Sequence, residues 1–389
     1  MVRSPLRSST SLAAAALACF AVLGLAGSAA AQTAGVTLPP SGENQRQTVI
    51  QQIGLVRVSI DYSSPHVHSP AGEDRKGKIW GTLVPYGMTS LGSSCGDQCP
   101  WRGGANENTV LTVSHDVKVE GQPLPAGAYG LHFIPGPDEW TVIFSKNSTS
   151  WGSFSYDAKE DALRVKVKPE ASDYREVLTY DFPERRTDRA TVALKWENLA
   201  VPFTITVDNM PQLYVENLRR ELRSSPGFGG QGWLAAANYC LQTKTNLEQA
   251  EKWAQRSIDP KFGGQESFDA LTILSQVQAA NGHADEAAKT MEQAINHPTA
   301  GAVAIHLYGR QLLAQKKSQE ALKVFQLNAR RHPNVWPVHV GLARGYAAVG
   351  RTKEALSEAR LALPQAPDDL NRKGLATIIE KLEKGQAID

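Results

Sequence analysis

The run Trp101-Arg102-Gly103-Gly104-Ala105-Asn106-Glu107 sets a guanidinium, an amide and a carboxylate along one glycine-rich stretch. Polar groups so placed can bind a ligand or move protons. They can equally pin the loop by pairing with one another. Arg102 and Glu107 stand five apart across two glycines, so the chain can fold back and bring charge to charge. Internal pinning is the expectation. A binding site at Arg102, Asn106, Glu107 and Trp101 is the alternative. No nucleophile–base pair stands beside Glu107, and H-E-x-x-H and a glycine loop closed by Lys-Ser/Thr are absent. No catalytic residue and no cofactor is expected.

Three further groups carry chemistry. Cys95 and Cys99 form a C-x3-C, which in an oxidising compartment favours a local disulfide. The spacing is not that of a thioredoxin-like pair. His66 and His68 fall on one face if the chain is extended, and with His115, His132, Met88, Cys95 and Cys99 they could build a soft metal site. Pro65 and Pro70 flank the histidine pair and argue for a loop instead, so a metal site at His66 and His68 is only an alternative. Of the tryptophans, Trp140 and Trp196 alternate with Val and Ile as core residues do. Trp101 or Trp151 could stack on a sugar.

The compartment is read from the N-terminus. Arg3 and Arg7 precede an apolar run, Leu12 to Leu25, and Ala29-Ala30-Ala31 offers an A-x-A cleavage site. The apolar run is shorter than the ~20 residues a membrane span needs. Residues 1–31 are therefore expected to be a cleavable signal peptide, and 32–49 a flexible leader. The mature chain would be periplasmic or extracellular, with no membrane span. The 41 basic residues, less Arg3 and Arg7, equal the 39 acidic ones. A neutral mature chain has no global basic field, which excludes nucleic acid as an expected partner.

Residues 50–208 read as antiparallel β. Val56, Val58 and Ile60 alternate with polar residues. Similar runs recur at Lys78–Val84, Thr109–Ser114, Val117–Glu120, Ala128–Ile134, Trp140–Ser145, Leu163–Val167, Val177–Phe182, Thr191–Trp196 and Phe203–Val207. Gly/Pro turns separate them, and an antiparallel β-sandwich follows. Several stretches are more specific: Leu83-Val84-Pro85-Tyr86-Gly87, the Trp101–Glu107 run, Leu124-Pro125-Ala126-Gly127-Ala128-Tyr129-Gly130-Leu131, Ile134–Trp140, Trp151-Gly152 and Asp161–Val167. In that order, over residues 53–208, they resemble the exported bacterial "domain of unknown function 2911" family. The resemblance implies an exported β-rich domain with no assigned activity. Met88–Pro100, which carries the cysteine pair, departs from the family pattern as an insertion.

Residues 211–385 change to a helical period. Ala250, Ala287, Ala321 and Ala355 recur 37, 34 and 34 residues apart, each closing a similar pentapeptide. A 34-residue helix–turn–helix period is the tetratricopeptide signature. Twelve residues earlier stand Asn238, Ser275, Gly309 and Ala343, expected as the small contact positions, with Asn238 the poorest fit. Leu234, Leu271 and Ile305 are the expected anchors, and His339 breaks that series. Met291 and Phe325 fill the large position of the second helix, Ala254 and Ala359 replace it elsewhere, and Pro333 and Pro367 close two repeats. Cys240 is expected as a buried, unpaired thiol. The reading is four tetratricopeptide-like repeats and a capping helix, Asp369–Lys384, forming an α-solenoid. Such a stack presents a groove to other chains. The expected function is that of an exported, non-enzymatic scaffold binding a protein or peptide partner in the cell envelope. A carbohydrate-binding or hydrolytic β domain is the alternative, and a metal-binding protein the second.

Overall fold

A computed structural model describes residues 44–92 and 94–388. The expected signal peptide, residues 1–31, and residues 32–43 of the expected leader lie outside the described residues. Residues 45–49 belong to no flexible leader: Gln45–Ile53 is strand β1, hydrogen-bonded along its length to β2 (Val56–Ser64). Val49 packs on the core, which gives this strand its place at the sheet edge.

Ten antiparallel strands build two sheets. They continue as β3 (Val110–Val113), β4 (Val117–Val119), β5 (Gln122–Leu124), β6 (Gly127–Ile134), β7 (Trp140–Ser145), β8 (Asp161–Val167), β9 (Glu170–Arg185) and β10 (Arg189–Thr206). One sheet runs β1-β2-β3-β6-β7-β8 and the other β5-β4-β10-β9. Inward-facing alternate residues of both sheets form one core. The two runs expected at Thr191–Trp196 and Phe203–Val207 are parts of the single strand β10. That strand stays paired through register shifts, and Glu197, in left-handed backbone, lies between two of them.

Lys78–Val84 is not a strand. Its amides close tight turns, Leu83 to the Lys78 carbonyl and Val84 to the Ile79 carbonyl. The turn aims Trp80 into a cluster with Trp101, Trp140 and Trp196, at ring-centroid distances of 5.8, 5.2 and 5.7 Å. The indole contact outweighs the period-two pattern there.

Helix α1 (Met210–Glu221) precedes the repeats and bridges the two halves. Met210 and Leu213 pack on the β core, while Val215 is buried in the first helical cluster. The repeats are α2/α3 (Gly230–Thr243, Leu247–Ile258), α4/α5 (Phe268–Ala280, Ala284–Asn296), α6/α7 (Ala302–Ala314, Ser318–Arg331) and α8/α9 (Trp336–Ala348, Thr352–Ala362). Helix α10 (Asp369–Glu383) caps the stack through Leu375 and Leu382. All four repeat alanines are buried.

In the first repeat the register differs by one residue from expectation. Trp233 and Ala237 are buried, whereas Leu234 and Asn238 stay half-exposed. The α2–α3 connection has three residues, as in the later repeats, but holds two left-handed ones, Lys244 and Asn246, and α2 is 14 residues long where α4, α6 and α8 are 13. His339 sits at the anchor position of α8, half-buried and hydrogen-bonded through Nδ1 to Glu358 at 2.7 Å.

Candidate functional site

The Trp101–Glu107 loop is tied to both sheets. Trp101 exchanges backbone hydrogen bonds with Phe133 at 2.7 and 2.8 Å. The Gly103 carbonyl accepts from the Tyr180 hydroxyl at 2.8 Å. A Cβ on Gly103 would lie 2.5 Å from the Phe133 ring, and one on Gly104 2.9 Å from the Ser63 carbonyl. Gly103 and Asn106 both adopt left-handed backbone, at φ 62° and 58°. Two such reversals carry the Asn106 backbone, not the Glu107 side chain, across from Arg102. The Arg102 Nη1 accordingly donates to the Asn106 carbonyl. Glu107 faces away, accepting from the Ser63 hydroxyl at 3.0 Å and pairing with Arg46 at 3.5 Å. The expected Arg102–Glu107 pair does not form.

Arg102 is half-buried against a second loop, of which the sequence singles out Trp151-Gly152 without placing it here. Its guanidinium rests on Gly152, where a Cβ would lie 2.3 Å from Cζ, and stands 5.1 Å from the Phe154 ring centre. Burial pulls its pKa below the ordinary arginine value. Beside it, buried His132 shares a hydrogen bond of 2.9 Å between Nδ1 and the Ser153 hydroxyl. Burial first, and the Arg102 charge second, lower the His132 pKa to about 4, so this imidazole is neutral at pH 7. Asn108 donates to the Asn147 carbonyl at 3.1 Å and to Ser150 at 3.2 Å, which clamps the loop's other end. The Ser153–His132 pair is closed to solvent, with 1 % and 2 % exposure, so a substrate has no access to it. Trp151-Gly152 was legible in the family-like pattern. Asn108, Ser150, Ser153 and Phe154 carry no sequence signal, because only the fold brings them to Arg102.

Cys95 and Cys99 form a disulfide, as expected. They pack with Ile143, Tyr156, Met88 and Ile134, so the insertion has its own small core. A cleft of about 660 Å³ opens beside it, lined by Met88, Gln98, Tyr156 and Arg164 among others. Tyr156 donates to Asp161 at 2.8 Å, and burial, then that carboxylate, raises its pKa. Gly92-Ser93-Ser94-Cys95-Gly96 has the G-x-S-x-G spacing of a hydrolase nucleophile, a signal the sequence expectations omit. Ser94 stands in a turn rather than between strand and helix, and its hydroxyl donates to the Phe154 carbonyl at 2.8 Å. That context is not a nucleophile elbow.

The other candidates are dispersed. His68 contacts Glu176 at 3.1 Å and Asp74 at 3.8 Å, while the His66 backbone bridges to Val177. His115 contacts Ser114. Among the described residues, no group of three or more His, Cys, Asp and Glu is placed to hold a metal ion. Trp101 is no open sugar platform, since it stacks at 6.4 Å on Trp196 inside the tryptophan cluster. Trp151 is 58 % exposed. Cys240 is a buried free thiol, and burial raises its pKa to about 11.

The repeats offer a different surface. Helix α2 lies beside α4, and α6 beside α8. Val303, Leu307 and Arg310 follow one another along α6 at the spacing of one helical face, and all three are exposed. Behind them, burial first, then Arg310 and Arg344, lower the His306 pKa to about 4. The neutral His306 ring lies 5.8 Å from the buried ring of Phe325. That ring is enclosed by Gly309, Gly341 and Gly345, where added Cβ atoms would come within 2.3, 2.5 and 2.7 Å of it.

Residues 44–205 match the family model described as "Protein of unknown function (DUF2911)". The β domain is a DUF2911 domain. Tetratricopeptide-like repeats are fused behind it. Among solved structures, the chain is similar to a thermophilic tetratricopeptide protein of Thermus thermophilus, at 18 % identity and TM-score 0.30. That likeness covers 44 % of this chain and 91 % of the other. It is also similar to YrrB, a tetratricopeptide protein with an unusual peptide-binding site, at 18 % identity and TM-score 0.29, covering 43 % and 89 %. MamA of Desulfovibrio magneticus RS-1 matches at 14 % identity and TM-score 0.29, covering 41 % and 96 %. No curated protein matches the chain. Among the described residues, no helix is long and apolar enough to cross a membrane.

Proposed function

We propose that this chain is an exported, non-enzymatic scaffold whose helical repeats bind an acidic peptide segment bearing apolar side chains. The observation that carries this reading is the exposed face of α6, where Val303 and Leu307 lead into Arg310. An apolar stripe ending in positive charge suits a segment that places acidic residues beside aliphatic ones. The DUF2911 domain would serve as scaffold or second surface. Export rests on Ala29-Ala30-Ala31, and sequencing of the purified protein should begin at Gln32.

The test is a defined peptide array probed with the mature chain. Peptides pairing Asp/Glu with Leu/Val should bind, and their basic counterparts should not. Arg310→Glu and Leu307→Asp should each weaken binding at least tenfold. Binding that ignores peptide charge, or that survives both substitutions, would remove the repeats from the function.

A further inference from the structure

Arg102 differs from three other partly covered arginines, Arg75, Arg164 and Arg331, whose guanidinium groups meet two oxygens each. Arg164 pairs with Asp161 at 2.6 Å and donates to Tyr156 at 2.7 Å. Arg75 donates to the carbonyls of His66 and Val67, and Arg331 to those of Ile295 and His297. Arg102 makes one hydrogen bond, to the Asn106 carbonyl, and forms no ion pair with any described residue. A guanidinium carries five N–H donors. A charge removed from water is normally compensated, since leaving it unpaired is unfavourable. Glu107, the nearest acid in sequence, is held on the other side of the loop by Ser63 and Arg46.

The surroundings say what could compensate it. The Phe154 ring lies 5.1 Å from Arg102 Cζ and is partly open to solvent. Trp151 is exposed and is joined by the peptide bond to Gly152, on which the guanidinium rests. The Gly152 backbone is fixed by a hydrogen bond of 3.1 Å from Ser150 to its carbonyl. The site therefore combines a forked donor with two exposed aromatic rings on a clamped loop. A guanidinium fork matches a carboxylate, and exposed aromatic rings suit the apolar face of a pyranose.

We propose that Arg102, with the rings of Phe154 and Trp151, forms a binding site for a carboxylate carried on a sugar ring, the chemistry of a uronic acid. This site is separate from the repeats, and its residues are not those proposed to hold a peptide. Arg102 takes the carboxylate, Trp151 and Phe154 take the ring, and Gly152 permits the close approach that holds the guanidinium in place.

Isothermal calorimetry on the mature chain provides the test, with glucuronate, a galacturonate trimer, glucose and inorganic phosphate as probes. Saturable binding of glucuronate is expected, with at least tenfold weaker binding of glucose. Arg102→Met should weaken glucuronate binding at least tenfold. Trp151→Ala should also weaken it, and because Trp151 is exposed the fold should be retained, which keeps the test valid if Arg102→Met fails to fold. Tighter binding of the trimer than of the monomer would identify a polymer as the source, and equal binding a free acidic sugar. Absence of saturable glucuronate binding, glucose binding as tightly, phosphate binding more tightly, or Trp151→Ala binding like wild type would each overturn the proposal.

Discussion

Trp140, Trp196, Phe133 and Phe203 of the DUF2911 domain belong to one cluster that runs between both sheets, whereas the repeats divide their apolar residues among separate clusters. The sandwich closes because each sheet has a single inner face, so every inward residue shares one interior. A repeat touches only its neighbours, so its interior is broken at intervals along the stack. The difference also places the polar chemistry. The closed domain traps His132, Asn108 and Ser153 under its loops and leaves Arg102 half-buried beside them, while the open stack presents Val303, Leu307 and Arg310 outward. Ligand recognition in the first depends on what the fold encloses, and in the second on what it leaves uncovered.

Core truncation should separate the halves most strongly. Phe325→Ala and Trp140→Ala should each lower stability by about 3–5 kcal/mol. Hydrogen exchange should show the loss from Phe325→Ala confined to α6–α8 and the loss from Trp140→Ala spread over every strand of the sandwich. A local response to Trp140→Ala would break the contrast.

Acid provides the next contrast, through one neutral histidine in each half. His132 and His306 titrate at about 4 in the folded chain, against 6.5 unfolded. Between those values the unfolded chain binds more protons, so stability falls as pH falls and is fully retained only above pH 6.5. Each histidine accounts for up to about 3 kcal/mol across that window. Urea unfolding followed from pH 7 to pH 4 should show acid loss in both halves. His132→Asn should flatten the response of the sandwich alone, and His306→Phe that of the repeats alone.

Disulfide removal should be milder. The Cys95–Cys99 ring is small, so the Cys95→Ser, Cys99→Ser double variant should lose roughly 2 kcal/mol or less. Unreduced mass spectrometry should find the wild-type peptide about two daltons lighter than its reduced form, reflecting loss of two thiol hydrogens. The smallest effect belongs to Glu107→Gln. Its pair with Arg46 is exposed, and exposed pairs contribute about 0–1 kcal/mol. A melting-temperature drop of many degrees would show that Glu107 pins the loop after all.

Much of the architecture was legible in local pattern. Period-two runs identified strands such as β3 and β8, because one face of each is more deeply buried than the other. The 34-residue spacing of Ala287, Ala321 and Ala355 identified the repeats, because each must fit the same helix contact. Where pattern failed, a contact distant in sequence had prevailed. Trp80 left its apparent strand for three other indoles, and Trp233 replaced Leu234 as anchor in α2, which is a residue longer than α4, α6 and α8. Strand β1 was missed because its polar edge residues are strand-like only beside β2.

By itself, the amino-acid order determined the two-part plan, the tetratricopeptide-like period and the cysteine pairing, all set by spacing within short stretches. Tertiary structure alone decided the partners of Arg102. The left-handed turns at Gly103 and Asn106 set Glu107 aside, and the fold carried Gly152 and Phe154, about fifty residues away in sequence, onto the guanidinium. Charge pairing depends on distances of a few ångströms. Sequence separation does not set those distances once a chain reverses direction; the enclosing sheets do.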